Sequence, residues 1–143
     1  MDNSYYRVMG IDYGDVRIGI ALSDVTRFIA SGYENYTRVN VDADCKHIAD
    51  IIANNNVKRI VIGLPLNMDG SVGIRVEKTY EFASILSKYT DVEIDYLDER
   101  LTSVSAEKIL ISADVSRKKR KNVLDKLSAT IILQDYLDSN YRK

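Results

Sequence analysis

The sequence is poor in the residues that build covalent and metal-bound frameworks. It has one cysteine (Cys45), one histidine (His47), one proline and no tryptophan among 143 residues. A single cysteine excludes a disulfide framework, and one cysteine with one histidine excludes a zinc finger or another Cys/His-rich metal cage. No apolar run approaches the roughly 20 residues of a membrane span, and the first residues lack the apolar segment of a signal peptide. We therefore expect a soluble, cytoplasmic protein with no membrane partner.

The chain also has no large excess of either positive or negative charge. Twenty basic residues face 21 acidic ones, a net charge of -1, so no overall basic field indicates a nucleic-acid partner and the positions of the charges decide. Apolar residues make up 45% of the chain and glycine only seven positions, which excludes disordered and collagen-like chains. A chain of this length can bury one good core, so we expect residues 1–143 to form a single domain.

The apolar pattern alternates between strands and helices. Two β-favouring runs around Tyr13-Gly14-Asp15 predict a hairpin, and a third, more exposed strand follows. The predicted strands are 5–12, 17–23, 28–39, 58–63 and 92–98, and the predicted helices begin at Asp42 or Asp44, near 72–75, at Thr102 or Ser103, and near Asn122. This order predicts an α/β fold with a mixed five-stranded sheet, in which a three-stranded antiparallel meander joins parallel strands and helices cover both faces.

Carboxylates stand at the positions where such sheets bind ligands. Asp12 ends the first strand, Asp98 and Glu99 end the last, and Asp125 lies early in the last helix. If the strands of Asp12 and Glu99 are parallel neighbours, both acids emerge at one edge of the sheet. With Asp125 they predict a three-carboxylate cluster that binds a hard divalent cation such as Mg²⁺, and two such ions can clamp a phosphodiester.

Each acid also has a purely structural interpretation. Asp12 precedes a turn, one of the acids 98–99 fits a surface charge, and Asn122 with Asp125 imitates a helix capping box. The small residues 128–129, one turn further on, favour close docking of this helix on the sheet. Close docking would point Asp125 inward.

Basic and loop residues near these acids are candidates for binding phosphates. A run of cations precedes Asp125 and is expected to form a mobile loop, either simply solvated or ordered by a phosphate backbone. The loop 63–70 lacks a phosphate-loop signature and fits a strand-to-helix turn, or a binding loop with Asn67 and Arg75 facing phosphates. The run comprises Arg117, Lys118, Lys119, Arg120 and Lys121.

Four ordered motifs resemble the signatures of the YqgF/RuvX family. The first is Gly10-Ile11-Asp12-Tyr13-Gly14 with Arg17-Ile18-Gly19-Ile20-Ala21, and the second is the run from Gly63 to Ser71. The third is Asp98-Glu99-Arg100-Leu101-Thr102-Ser103. The fourth joins 118–121 to 125–137. Together they span nearly the whole chain.

The resemblance implies an RNase H-like fold and a bacterial, cytoplasmic nuclease acting at the 5′ end of pre-16S rRNA during ribosome maturation. It implies that Asp12, Glu99 and Asp125 are the catalytic and metal-binding acids, holding Mg²⁺ or Mn²⁺. Structured RNA, within the small-subunit precursor, is the expected partner of a monomer or weak homodimer. Arg100 joins the residues expected to contact nucleic acid.

Two other functions fit the same residues. A Holliday-junction resolvase would cut branched DNA with these acids and would need a symmetric homodimer. A non-catalytic RNA-binding factor in ribosome assembly would keep the acids without cutting. Asp-x-Gly followed by Gly-Ile-Ala also resembles the first phosphate motif of sugar-kinase-type ATPases, but that class closes two such domains around its nucleotide.

Overall fold

The computed structural model describes residues 4–99 and 117–141. The elements are β1 (Arg7–Tyr13), β2 (Arg17–Ser23), β3 (Ala30–Thr37), α1 (Val41–Asn54), β4 (Val57–Leu64), α2 (Ile74–Leu86), β5 (Glu93–Asp98) and α3 (Arg117–Tyr136), which a π-helical turn, Leu137–Tyr141, follows. The predicted helix that begins at Thr102 or Ser103 lies outside the described residues, as does Arg100.

The five strands form one mixed sheet in the order β3-β2-β1-β4-β5. β1 to β3 pair antiparallel, whereas β1, β4 and β5 are parallel to one another. The backbone N–H of Gly14 donates to the carbonyl of Arg17 at 2.9 Å and closes the predicted hairpin. The prediction of a mixed sheet with a three-stranded meander is confirmed.

Helices cover both faces of the sheet. On one face, α1 and α2 bury apolar side chains such as Ile48, Phe82 and Leu86 against alternate strand residues. On the other face, α3 buries Ala129 and Leu133 among others. Alternation along each strand sends successive side chains to opposite faces, so each strand contributes to both cores. No helix within the described residues is long and apolar enough to cross a membrane.

The docking of α3 is unusually close at Gly10. A Cβ atom on Gly10 would lie 2.7 Å from Leu133 Cβ and 2.9 Å from the carbonyl oxygen of Ala129. Only a glycine fits there, because real Cβ atoms do not approach so near. Gly10 therefore faces α3, and so does Asp12, which lies two residues further along β1.

The predicted cap of α1 is wrong. Asn40, not Asp42 or Asp44, precedes the helix, and its side chain accepts a hydrogen bond from the Ala43 N–H at 2.9 Å. Asp44 is fully buried in the first turn instead. Its carboxylate accepts hydrogen bonds from Arg38 Nε at 3.0 Å and from the Val39 N–H at 2.9 Å, two residues of the segment just before the helix.

The predicted start of the last helix is also wrong. α3 begins at Arg117, five residues before Asn122, so the run of cations occupies the first turns of a helix and not a loop. Asn122 lies inside the helix and cannot cap it, which removes the capping-box interpretation of Asp125. The α2 prediction is confirmed, because its stripe residues are buried: Val76, Thr79, Ala83 and Leu86.

Candidate active site

The carboxyl ends of the parallel strands meet at one edge of the sheet. β4 lies between β1 and β5, so the strands that carry Asp12 and lead to Glu99 are parallel but are not neighbours. The two acids still emerge at the same edge, because parallel strands end on the same side. Sharing an edge therefore does not require the two strands to be neighbours. A residue of β4 must instead lie between the two acids.

Gly63 of β4 is that residue. A Cβ atom on Gly63 would collide with Oε2 of Glu99 and would lie 2.5 Å from Ile132 Cδ1 of α3. The Glu99 carboxylate thus lies over the bare backbone of Gly63, and the Glu99 N–H donates to the carbonyl of Leu64 at 3.2 Å. The sequence predicted Gly63 as the end of a strand and the start of a loop, without a role in the site. A glycine at the end of a continuous apolar strand is the signal that could have revealed it.

Burial and a second carboxylate perturb Glu99. The residue is only 9% exposed. Burial, and then the charge of Asp12, raise the pKa of Glu99 to about 7, while Arg75 opposes the rise and Asp98 adds to it. Asp12 and Glu99 are therefore close enough to interact. When both are ionised they repel each other in a poorly solvated place, which is the arrangement that a bound cation stabilises.

A cleft of about 410 Å³ opens at Glu99. It lies between the end of β5, the loop after β4 and the start of α2. Its walls are Pro65, Leu66, Asn67, Met68, Gly73, Ile74, Arg75 and Glu99. The structure thus brings together three of the predicted site residues, Asn67, Arg75 and Glu99. Met68 and Ile74 are 76% and 69% exposed, so this rim of the cleft is apolar and open.

Asn67 organises the loop that forms the cleft. Its Nδ2 donates to Ser71 Oγ at 3.0 Å, and its backbone carbonyl accepts from the Gly70 N–H at 2.8 Å. Gly70 has φ of 86°, a left-handed conformation that suits glycine in this turn. The contact with phosphate expected of Asn67 stays a prediction, and its observed partners give it a structural role beside the cleft.

The other predicted residues fall on α3 or beyond the described segments. Asp125 lies one helical turn before Ala129, which contacts Gly10 of β1, and the five cations 117–121 lie in the preceding turns of α3. Among the side chains that the structure describes, no three His, Cys, Asp or Glu form a metal-binding group. Asp12 and Glu99 supply two of the three predicted acids.

Sequence comparison assigns the family. A family model described as "RuvX: Holliday junction resolvase" matches residues 6–139. The chain belongs to the RuvX family. A protein of Halothermothrix orenii is 50% identical over 132 residues, which cover 92% of this chain and 94% of that protein. One from Halalkalibacterium halodurans is 50% identical over 139 residues, 96% and 99% of the two chains. Both are named "Putative pre-16S rRNA nuclease", and the family resemblance of the four motifs is confirmed.

The fold of this RuvX-family protein is that of the RuvC resolvases. The structure of T. thermophilus RuvC in complex with a Holliday junction substrate matches it with a TM-score of 0.59 at 10% identity, covering 95% of this chain and 97% of that one. This likeness confirms the predicted RNase H-like fold.

Proposed function

We propose that this RuvX-family protein is a metal-dependent endonuclease that processes the 5′ end of precursor 16S rRNA during ribosome biogenesis. One observation carries the proposal: Glu99 is buried over Gly63 within the electrostatic reach of Asp12, and it borders an open cleft that also holds Arg75. The proposed substrate is taken from the names of two relatives. Each is 50% identical to this chain and is named "Putative pre-16S rRNA nuclease".

The donor set fits a hard divalent cation. Two carboxylates that destabilise each other when ionised, with no cysteine or histidine among the cleft residues, match the oxygen preference of Mg²⁺ and Mn²⁺. Asp12 and Glu99 would hold the ion, and Asp125 is the proposed third ligand. When bound, such an ion polarises the scissile phosphate and lowers the pKa of an attacking water.

The remaining residues bind and orient the substrate. Arg75 at the start of α2 offers a cation in the cleft, where the first N–H groups of the helix also favour a phosphate. The cations of α3, Arg117, Lys118, Lys119, Arg120 and Lys121, are proposed to neutralise backbone phosphates along a helix that leads toward the acids. Arg100 is proposed to contact nucleic acid from outside the described residues.

The deciding experiment is a cleavage assay with a matched acid variant. Labelled precursor rRNA, alone and within a small-subunit particle, is incubated with Mg²⁺, Mn²⁺ or EDTA. Asp12→Asn is expected to abolish metal-dependent cleavage and to leave RNA binding near that of the wild type. The control is Asp15→Asn, because Asp15 is an exposed acid of the turn that follows β1. Full activity of Asp12→Asn would remove Asp12 from the mechanism.

A second candidate function is cleavage of branched DNA. The description of the matching family model favours it, and the same acids would serve it. A four-way DNA junction in the same assay separates the two, with a symmetric dimer expected for the resolvase. Binding of RNA without cutting, under every metal tried, would instead favour an assembly factor that has kept a catalytic fold.

A further inference from the structure

The cleft beside Glu99 is lined by two kinds of side chain. Arg75 and Glu99 are charged, and the apolar lining consists of Pro65, Leu66, Met68 and Ile74. Met68 and Ile74 are also among the most exposed large apolar residues of the described chain. Single exposed apolar residues are ordinary, but several of them around one cleft are typical of a surface that binds a partly apolar ligand.

The loop that carries Met68 is ordered by its own hydrogen bonds. The Asn67 N–H donates to the carbonyl of Ser71 at 3.1 Å, and the Ser71 N–H donates to Oδ1 of Asp69 at 2.9 Å. Asn67 also contacts the start of α2, because a Cβ atom on Gly73 would lie 3.3 Å from both atoms of its amide group. An ordered loop loses less conformational entropy when a ligand binds than a flexible one does.

The cleft is larger than a phosphate requires. Its volume of about 410 Å³ lies within the range of roughly 300–1,000 Å³ that is typical of small-molecule sites. A phosphate alone would pair with Arg75 but would leave Met68 and Ile74 in water. A nucleotide has both of the parts that the lining matches, an anionic phosphate and a base with two faces on which side chains stack.

Only an unpaired base can use this apolar surface. Inside a double helix the stacked neighbours cover both faces of a base, and enzymes that act on a base take it out of the stack. Ile74 directly precedes Arg75 in the chain, and consecutive Cα atoms lie about 3.8 Å apart. A base on Ile74 therefore belongs to a nucleotide that adjoins the phosphate at Arg75.

We propose that Met68 and Ile74 bind the face of an unpaired base in the nucleotide next to the scissile phosphate. The substrate is then RNA that is single-stranded or bulged at the cut, and not a continuous double helix. The inference rests on the proposed nuclease function and adds to it the structural class of RNA that the site accepts.

The test combines the loss of one base with the loss of the two apolar side chains. Precursor RNA fragments carry one abasic ribonucleotide at each position around the cut in turn. At one position this change is expected to slow wild-type cleavage about tenfold, the effect of one lost stacking contact. The double variant Met68→Ala, Ile74→Ala should slow cleavage of the intact RNA by a similar factor and should no longer respond to the abasic change. A complementary strand annealed across the cut should slow the wild type at least tenfold.

Val72→Ala is the matched control. Val72 is an apolar residue of the same loop and is 58% exposed, but it does not line the cleft. This variant should cut every fragment at the wild-type rate, and thermal melting checks that each protein folds. If Val72→Ala behaved like the double variant, the effect would belong to the loop as a whole and the base contact would be overturned.

The outcomes separate this inference from the proposed function. If the wild type cuts RNA but no abasic position matters, if the double variant keeps the full abasic effect, or if paired RNA is cut as fast as unpaired RNA, the base contact is wrong while the nuclease stands. If the wild type cuts no RNA, the proposed function fails, and equilibrium binding of the same fragments decides on Met68 and Ile74. A loss of affinity for abasic RNA that disappears in the double variant supports the contact, and an equal loss, or none, in both proteins refutes it.

Discussion

Replacing Glu99 by glutamine is expected to stabilise the metal-free protein above neutral pH. The pKa of this carboxyl rises from its ordinary value of 4.5 to about 7 through burial and the charge of Asp12. Each pKa unit corresponds to about 1.4 kcal/mol, so ionising Glu99 in the folded protein costs at most about 3 kcal/mol of stability. Glutamine has nearly the same shape and never ionises, and it therefore avoids this cost.

The sign of the pH dependence follows from proton binding. Between pH 4.5 and about 7 the folded protein retains a proton on Glu99 that the unfolded chain has released. The free energy of unfolding therefore decreases as the pH rises through this interval. Below pH 4.5 both states are protonated and the group has no effect. The stability advantage of Glu99→Gln should grow from near zero at pH 4.5 to its full value above pH 7.

Urea denaturation in the presence of a chelator, from pH 4.5 to 8.5, measures this difference. Glu81→Gln is the matched control, because Glu81 is an exposed acid of α2 and should give no such pH-dependent gain. Added Mg²⁺ should stabilise the wild type and leave Glu99→Gln nearly unchanged. A stability difference that stays constant with pH, or a Glu99→Gln variant less stable than the wild type at pH 8, would refute the reasoning.

Two further substitutions test contacts within the fold, one at the site and one at the start of α1. Gly63→Ala places a Cβ against the Glu99 carboxylate and should cost about 1–3 kcal/mol of stability in urea denaturation. It should also remove most of the cleavage activity in the RNA assay. Unchanged activity would show that Glu99 has room to move. Asp44→Asn weakens the buried contact with Arg38 and should cost about 3 kcal/mol, whereas Asp42→Asn, at an exposed position in the same turn, should cost far less in the same denaturation experiment.

The amino-acid sequence by itself determined the strands, their meander and the class of the fold. The hairpin around Gly14 and the buried stripe of α2 follow from the local alternation and spacing of apolar residues, because each element must bury one face. The four motifs similarly identified the family. They also placed Asp12 and Glu99 at strand ends, where the sheet topology brings them to one edge.

Only the tertiary structure decided what lies between and around those acids. β4 separates their strands, and the bare backbone of Gly63 makes room for the Glu99 carboxylate. These features depend on residues far apart in the chain, and a local pattern holds no record of the partner that a side chain will meet.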